Sequence, residues 1–356
     1  SSDVCSSDLG GVMRWLDGAE TNFGWDNSLR RHRPEDGLNS PNVLCVFADK
    51  SGQVWVGTRS PGGLHQFLDG KFREMDVAGT TGKEISALHQ DRIGRIWVGT
   101  PSGLAAWDGV GWKVFTTQEG LSTNAVRAIA DDEAGNIWVG TDGGGLNQLR
   151  GSQITVFRKG ADGLPGNRVT SLLVDASGVL WVGTSSGLAR LKEGRWTRFI
   201  TATGLPSNTI NYLVEDAEGY LWLGSNAGLV RVAKQSLNDF ASGAATVIAC
   251  RTYDETDGLP TGETTSGSQP AAIRTRTGKI RDVRWQLAYA PSEMGDDVVL
   301  VSSASETAFA IRDALAAAGL AAAGAAHPVP THRFLTSGDP DDFTQIGRRL
   351  FGPDLP

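Results

Sequence analysis

The run VTSLLVDASGVLWVGTSSGLARLKEGRWTRFI (169–200) decides the fold. It opens on a β-branched and aliphatic stretch ending at Asp175. Asp175-Ala-Ser-Gly178 then supplies a type I turn, with a carboxylate to cap its first position and a glycine that tolerates positive φ at its fourth. VLWVGT, a Ser-Ser-Gly turn, LARLKE, a turn at Gly194 and RWTRFI follow. Runs this short, joined by turns this tight, pair antiparallel with their neighbours. The unit reads as one four-stranded sheet. A helical solenoid would need amphipathic helices, which the glycine-flanked Trp-x-Gly-Thr strands forbid.

The unit recurs. QVWVGT ends at Thr58, RIWVGT at Thr100, NIWVGT at Thr141, VLWVGT at Thr184 and YLWLGS at Ser225. Their tryptophans, Trp55, Trp97, Trp138, Trp181 and Trp222, are spaced by 42, 41, 43 and 41 residues. Three residues before each stands a glycine (Gly52, Gly94, Gly135, Gly178, Gly219), and six before stands an aspartate (Asp49, Asp91, Asp132, Asp175, Asp216). Eighteen before stands another glycine (Gly37, Gly79, Gly120, Gly163, Gly204). A four-stranded sheet repeated at this interval is a propeller blade. The expected fold is all-β: a β-propeller of about six four-stranded blades, incomplete, followed by a short α/β tail.

An identical tryptophan in every blade is a core residue filling the gap between packed sheets, with the glycine two places on permitting close approach. A sugar-stacking role would not need one in each repeat. The aspartates, one turn per blade around a ring, read as turn caps rather than calcium ligands.

Composition bounds the function. The chain has 356 residues, 40 % of them hydrophobic, enough for a core and too many for a disordered tail. Its 33 basic and 40 acidic side chains give a formal charge of −7, which argues against a nucleic-acid face. No stretch approaches the roughly 18 consecutive apolar residues of a spanning helix. Cys5, Cys45 and Cys250 are too few and scattered for a disulfide framework or metal knuckle. The 46 glycines, without a three-residue period, mark many tight turns.

The repeats resemble the two-component regulator propeller repeat. The likeness rests on GLPSNTI (204–210), Glu215-Asp216-Ala-Glu-Gly219, LWLGS (221–225) and Gly228-Leu229, with the same pattern upstream. It covers about residues 10–280. It implies a sensor portion of a hybrid histidine kinase or related membrane-anchored signalling protein, hence a periplasmic location. The implied partners are a small molecule, a glycan or a neighbouring sensor domain.

Both ends break the pattern. Residues 1–9 stand where a Trp-Val-Gly-Thr strand is expected, and they resemble translated sequencing-adapter read-through. They have neither the charged start nor the apolar stretch of a signal peptide. A sixth Trp is expected at position 281, where the chain has Arg281. Beyond it an Ala-rich α/β pattern begins, with Asp297–Val301 as a strand and a helix opened by the Ser303–Glu306 capping box. A last helix, carrying Phe343, Ile346 and Leu350, is expected after Asp339. MGDDVVLVSSASETA (294–308), HRFLTSGDP (332–340) and IGRRLFG (346–352) resemble the C-terminal end of bacterial glutamate racemase. That family uses two cysteines, each on its own motif, and neither motif is in the stretch. Two-base proton transfer cannot be assembled without them. The expected division is an adapter-like peptide (1–9), a propeller (10–280) and a racemase-like fragment (281–356), as in a chimeric reading frame. A natural fusion with a new C-terminal cap is the alternative.

No phosphate loop, metal-spaced His/Cys set or Ser/His/Asp cluster is present, and no cofactor is implied. Gly143-Gly-Gly145 precedes no helix and reads as a turn. Catalytic residues: none are assigned. In an up-and-down blade the inter-blade loops and the second-to-third-strand loops share one face, and the Asp-x-x-Gly turns share the other. The first face carries polar residues that differ between blades: Arg59, Arg127, Asp142, Arg168, Asn211 and Asn226. Variable polar groups on a fixed scaffold form the expected ligand-binding set. Asn124, Asn167 and Asn208 recur fourteen residues before Trp and read as loop-fixing hydrogen bonders. The functional expectation is a non-catalytic sensor propeller, against two alternatives: an inactive racemase fragment or a protein-binding scaffold.

Overall fold

The computed structural model describes residues 34–254 apart from 41, 60–61, 78–82 and 161, the positions 257 and 264, and eight short strands toward the two ends. Five four-stranded antiparallel sheets lie in chain order. They comprise Val43–Ala48, Val54–Thr58, Gly63–Leu68 and Lys71–Met75; then Ala87–Gln90, Ile96–Thr100, Gly103–Trp107 and Trp112–Phe115. The third has Val126–Asp131, Ile137–Thr141, Leu146–Arg150 and Gln153–Phe157. The fourth has Val169–Val174, Leu180–Thr184, Gly187–Lys192 and Arg195–Phe199. The fifth has Ile210–Glu215, Tyr220–Ser225, Gly228–Ala233 and Cys250–Tyr253. Strands pair in sequence order within each sheet, and the first strands of successive sheets lie against one another. That is the radial stacking of a β-propeller.

The repeated residues explain the stacking. Trp55, Trp97, Trp138, Trp181 and Trp222 are at most 5 % exposed. Each of the last four meets an aromatic from the fourth strand of its own sheet: Phe115 at 5.8 Å, Phe157 at 5.7 Å, Phe199 at 6.2 Å and Tyr253 at 5.8 Å between ring centroids. The glycine two residues after Trp is where the sheets close up. A Cβ on Gly140 would stand 2.4 Å from Val169 of the next sheet, and one on Gly224 would stand 2.3 Å from the Tyr212 ring. Only glycine fits there. The threonine or serine that follows is fully buried and donates to the carbonyl opening the third strand, as Thr184 does to Gly187 at 2.8 Å.

In the first, third, fourth and fifth sheets the first strand carries a register shift opposite the end of the second, between Val43 and Cys45, Val126 and Ala128, Val169 and Ser171, and Ile210 and Tyr212. A bulge there re-aims one side chain per sheet: Leu44, Arg127, Thr170 or Asn211.

The fifth sheet departs from the expected blade. A helix, Lys234–Ser242, is inserted between its third and fourth strands and ends on Gly243 with φ 82°. Leu237 is fully buried in the seam with the fourth sheet, and Phe240 meets Phe199 with ring centroids 5.4 Å apart and the rings tilted by 50°. Lys234 Nζ reaches Asp175 at 3.2 Å and also pairs with Glu215.

Three-stranded sheets flank the five. Asp3–Ser6, Val12–Leu16 and Ala19–Phe23 form one; Ala272–Arg274, Ile280–Asp282 and Leu287–Tyr289 form the other. Asp3–Ser6 runs beside Val43–Ala48, and Ala272–Arg274 beside Ile210–Glu215. Asp3–Ser6 pairs with Val12–Leu16, Val4 opposite Arg14, and Ile280–Asp282 pairs with Leu287–Tyr289, Ile280 opposite Tyr289. The β-series continues to Tyr289 although position 281 lacks the tryptophan, because ladder pairing uses backbone amides and carbonyls, which any residue but proline supplies. The helices expected after 303 and 339 lie outside the described residues.

Candidate functional site

One face of the propeller is committed to its own structure. In each of the five sheets the repeat aspartate divides its two oxygens. Oδ1 accepts amides of the turn, for example Ser177 and Val179 onto Asp175 at 2.9 and 3.0 Å. Oδ2 accepts the indole N–H of the tryptophan six residues on: Trp55 at 3.0 Å, Trp97 at 2.8 Å, Trp138 at 2.8 Å, Trp181 at 2.9 Å and Trp222 at 2.8 Å. Burial of Asp91 disfavours its charge, but hydrogen bonds from Trp97 and Arg95 outweigh that and hold its carboxyl below the usual range. Sequence reasoning had these aspartates as turn caps and the tryptophans as core. The structure joins the two roles in one carboxylate.

The turn face is also stitched between sheets. The side chain seven residues before Trp accepts an amide of the preceding turn: Lys50 N–H onto Gln90 at 2.7 Å, Arg92 onto Asp131 at 3.1 Å and Ala176 onto Glu215 at 3.4 Å. His89 Nε2 sits 2.8 Å from Asp131 in the same seam. Among the described residues no group of three His, Cys, Asp or Glu is placed to hold a metal.

The opposite face holds the inter-blade loops. Asn124, Asn167 and Asn208 accept the amides of Thr117, Lys159 and Thr201 at 2.8, 2.7 and 2.8 Å, closing each loop on itself as expected. Six candidate ligand residues gather along this rim but not in one pocket. Asp142 takes Arg127 Nη2 at 2.8 Å from its own sheet, and Arg168 Nε and Nη2 at 2.7 and 3.1 Å from the next. Arg168 above all, and Arg127 with it, hold the Asp142 carboxyl below the usual range against partial burial. Asn211 donates to Asn226 at 3.2 Å and to the Thr264 carbonyl at 2.6 Å. Arg59 stands apart, 3.6 Å from Glu84. Arg168–Asp142 joins the fourth sheet to the third and Arg59–Glu84 the first to the second, so these are also inter-blade latches, whereas Arg127–Asp142 and Asn211–Asn226 stay within one sheet.

Histidine and cysteine chemistry is absent from this rim among residues with described side chains. His65, which the sequence offered only as an isolated histidine, is fully enclosed, and the Asn39 amide donates to its Nε2 at 3.4 Å. Burial lowers its pKa to about 4, offset in part by the Val56 and Gly63 carbonyls. Asn147 occupies the equivalent place in the third sheet and accepts the Ser122 amide at 2.8 Å. The signal that could have found this role is the shared register, His65 opposite Val56 and Asn147 opposite Val139. Cys45 and Cys250 are buried enough that both thiols are pushed up, away from thiolate chemistry.

The family described as two component regulator propeller matches residues 37–60, 79–102, 120–143, 163–186 and 204–227. The five units are two-component regulator propeller repeats. Each match runs from the inter-blade glycine through the Asp turn and the Trp-x-Gly strand. The extracellular domain of the putative hybrid two component system BT3049 from B. thetaiotaomicron superposes with a TM-score of 0.67 at 22 % identity, covering 82 % of this chain and 38 % of that one. Virginiamycin B lyase from Staphylococcus aureus superposes with a TM-score of 0.54 at 14 % identity, covering 72 % of this chain and 82 % of that one. Likenesses this distant carry the fold. A short segment is 47 % identical over 62 residues to glutamate racemase of Acidothermus cellulolyticus, 17 % of this chain and 23 % of that enzyme. The chain thus spans about a quarter of the racemases it matches and well under half of the hybrid-system domain.

Proposed function

We propose that this chain is a non-catalytic, extracytoplasmic sensor propeller whose loop face binds a small molecule, a glycan or a neighbouring sensor domain, with occupancy relayed to a two-component output module. One observation carries the reading. The two-component regulator repeats hold Asp, Trp and Gly constant on one face and in the core, while the rim positions of the other face change in every sheet. Polar groups that vary on a scaffold of fixed loops are where recognition usually sits. The fold likeness to a lyase favours no catalytic reading of this rim: the described histidine side chains are enclosed (His65) or tied to Asp131 on the turn face (His89).

The test is hydrogen–deuterium exchange on the whole chain against an array of neutral and charged solutes and glycans. Protection is expected in the loops bearing Arg59, Glu84, Arg127, Asp142, Arg168, Asn211 and Asn226. A ligand that protects only the Asp-x-x-Gly turns, or any solute turned over catalytically, defeats the reading.

A further inference from the structure

We infer that the rim at the seam of the third and fourth sheets is an oxyanion site, taking the carboxylate or phosphate of a small solute through Arg127 and Arg168. The inference rests on the loop-face reading and adds the chemical class. Its basis is an imbalance of charge and of donors. The other charged latch at this level, Arg59 with Glu84, is one cation against one anion. The fifth sheet's counterpart is an amide pair, Asn211 with Asn226. The third sheet instead sets two guanidiniums on one carboxylate, leaving a net positive charge.

Each guanidinium has five N–H donors in a fixed fork. Toward Asp142, Arg168 uses Nε and Nη2, and Arg127 uses Nη2. The remaining donors are within reach of solvent, since the Arg127 and Arg168 side chains are 37 % and 57 % exposed while Asp142 is 24 % exposed. Arg127 is at the bulge of its first strand, the position filled by Leu44, Thr170 and Asn211 in the other bulged sheets. The long cation there is particular to this sheet. Beside the pair lies the turn Gly143-Gly144-Gly145. A Cβ at Gly143 would meet nothing within 4 Å, so that side is open. Two cations with spare N–H donors beside an open wall are what a small oxyanion requires.

Titration calorimetry on the full chain with glucuronate, glucose 6-phosphate and glucose tests it, the two anions separating a carboxylate from a phosphate preference. At least one anion is expected to bind, and glucose to bind about tenfold more weakly or not at all. Arg127→Gln, which leaves the cross-seam Asp142–Arg168 latch in place, should weaken the anion about tenfold. Asp142→Asn releases both guanidiniums and should tighten it, a change of sign that a purely structural cluster would not give. Equal binding of glucose and the anions, or an Arg127→Gln variant with native circular dichroism and unchanged anion affinity, overturns the assignment. A neutral solute that protects the loop face without feeling Arg127→Gln overturns the oxyanion class and leaves the sensor reading standing. Protection confined to the turn face defeats the sensor reading itself.

Discussion

Asp216 shows how much a single carboxylate does in each unit. It is 3 % exposed, accepts Glu218 and Tyr220 amides on one oxygen at 2.8 and 2.9 Å, and accepts the Trp222 indole on the other. Asparagine cannot replace it, because its amide group would face either the indole N–H or the turn amides, donor against donor. Asp216→Asn should lower stability by about 1–3 kcal/mol, read as a shifted denaturant midpoint at unchanged slope. His65 makes a second prediction at this scale. Burial holds its imidazole neutral down to about pH 4, whereas in the unfolded chain it takes up a proton near 6.5. Between those values the unfolded state binds more protons, so stability falls as the solution is acidified through that window, by on the order of 2–3 kcal/mol. His65→Asn, which borrows the residue of the third sheet, should keep the fold and flatten that slope in denaturant titrations at pH 7 and pH 4.5.

At the scale of elements, the helix Lys234–Ser242 is the part that sequence periodicity did not show. In the second to fourth sheets the aromatic that meets Trp follows it by eighteen or nineteen residues, at Phe115, Phe157 and Phe199. In the fifth it is Tyr253, thirty-one residues on, because the helix intervenes; yet Leu229 pairs with Tyr253 just as Leu188 pairs with Phe199. The register survives an insertion that erases the spacing. Leu237→Ala should cost about 2–5 kcal/mol and raise amide exchange in Cys250–Tyr253 before the first sheet is affected. The strands, turns and core tryptophans were legible because they follow from period, glycine placement and Asp position. The Asp–Trp bond and the latches were not, because a one-dimensional offset does not reveal which side chains a bulge turns toward a neighbour. Of the rim residues, Arg127, Asp142 and Arg168 come together, whereas Arg59 is drawn off to Glu84, a partner twenty-five residues away that no repeat offset marks.

For the molecule as a whole, the seams decide cohesion. Among the described residues four apolar clusters run from one sheet into the next, as where Trp181 and Phe199 meet Ile210, Leu223 and Leu237. Gly140→Ala would drive a methyl into Val169 across such a seam and should destabilise by about 1–3 kcal/mol, visible as a lowered Tm. The racemase likeness makes a different demand. Cys45 and Cys250 are held as buried thiols, Cys45 donating to the Ile85 carbonyl at 3.4 Å and Cys250 to that of Gly204 at 3.4 Å. Interconversion of D- and L-glutamate by the purified chain should be nil in a polarimetric assay; measurable turnover would overturn the non-catalytic assignment.

The Asp–Trp bond spans six residues and never leaves its own unit, whereas the side-chain stitches of Gln90, Asp131 and Glu215 and the Asp142–Arg168 latch fall on positions that differ from sheet to sheet. A unit copied or deleted in frame would therefore carry its fold with it and renegotiate only its borders. Blade number in such a protein is free to change through gene duplication, and recognition can diversify at the joints without disturbing the folding code inside each copy.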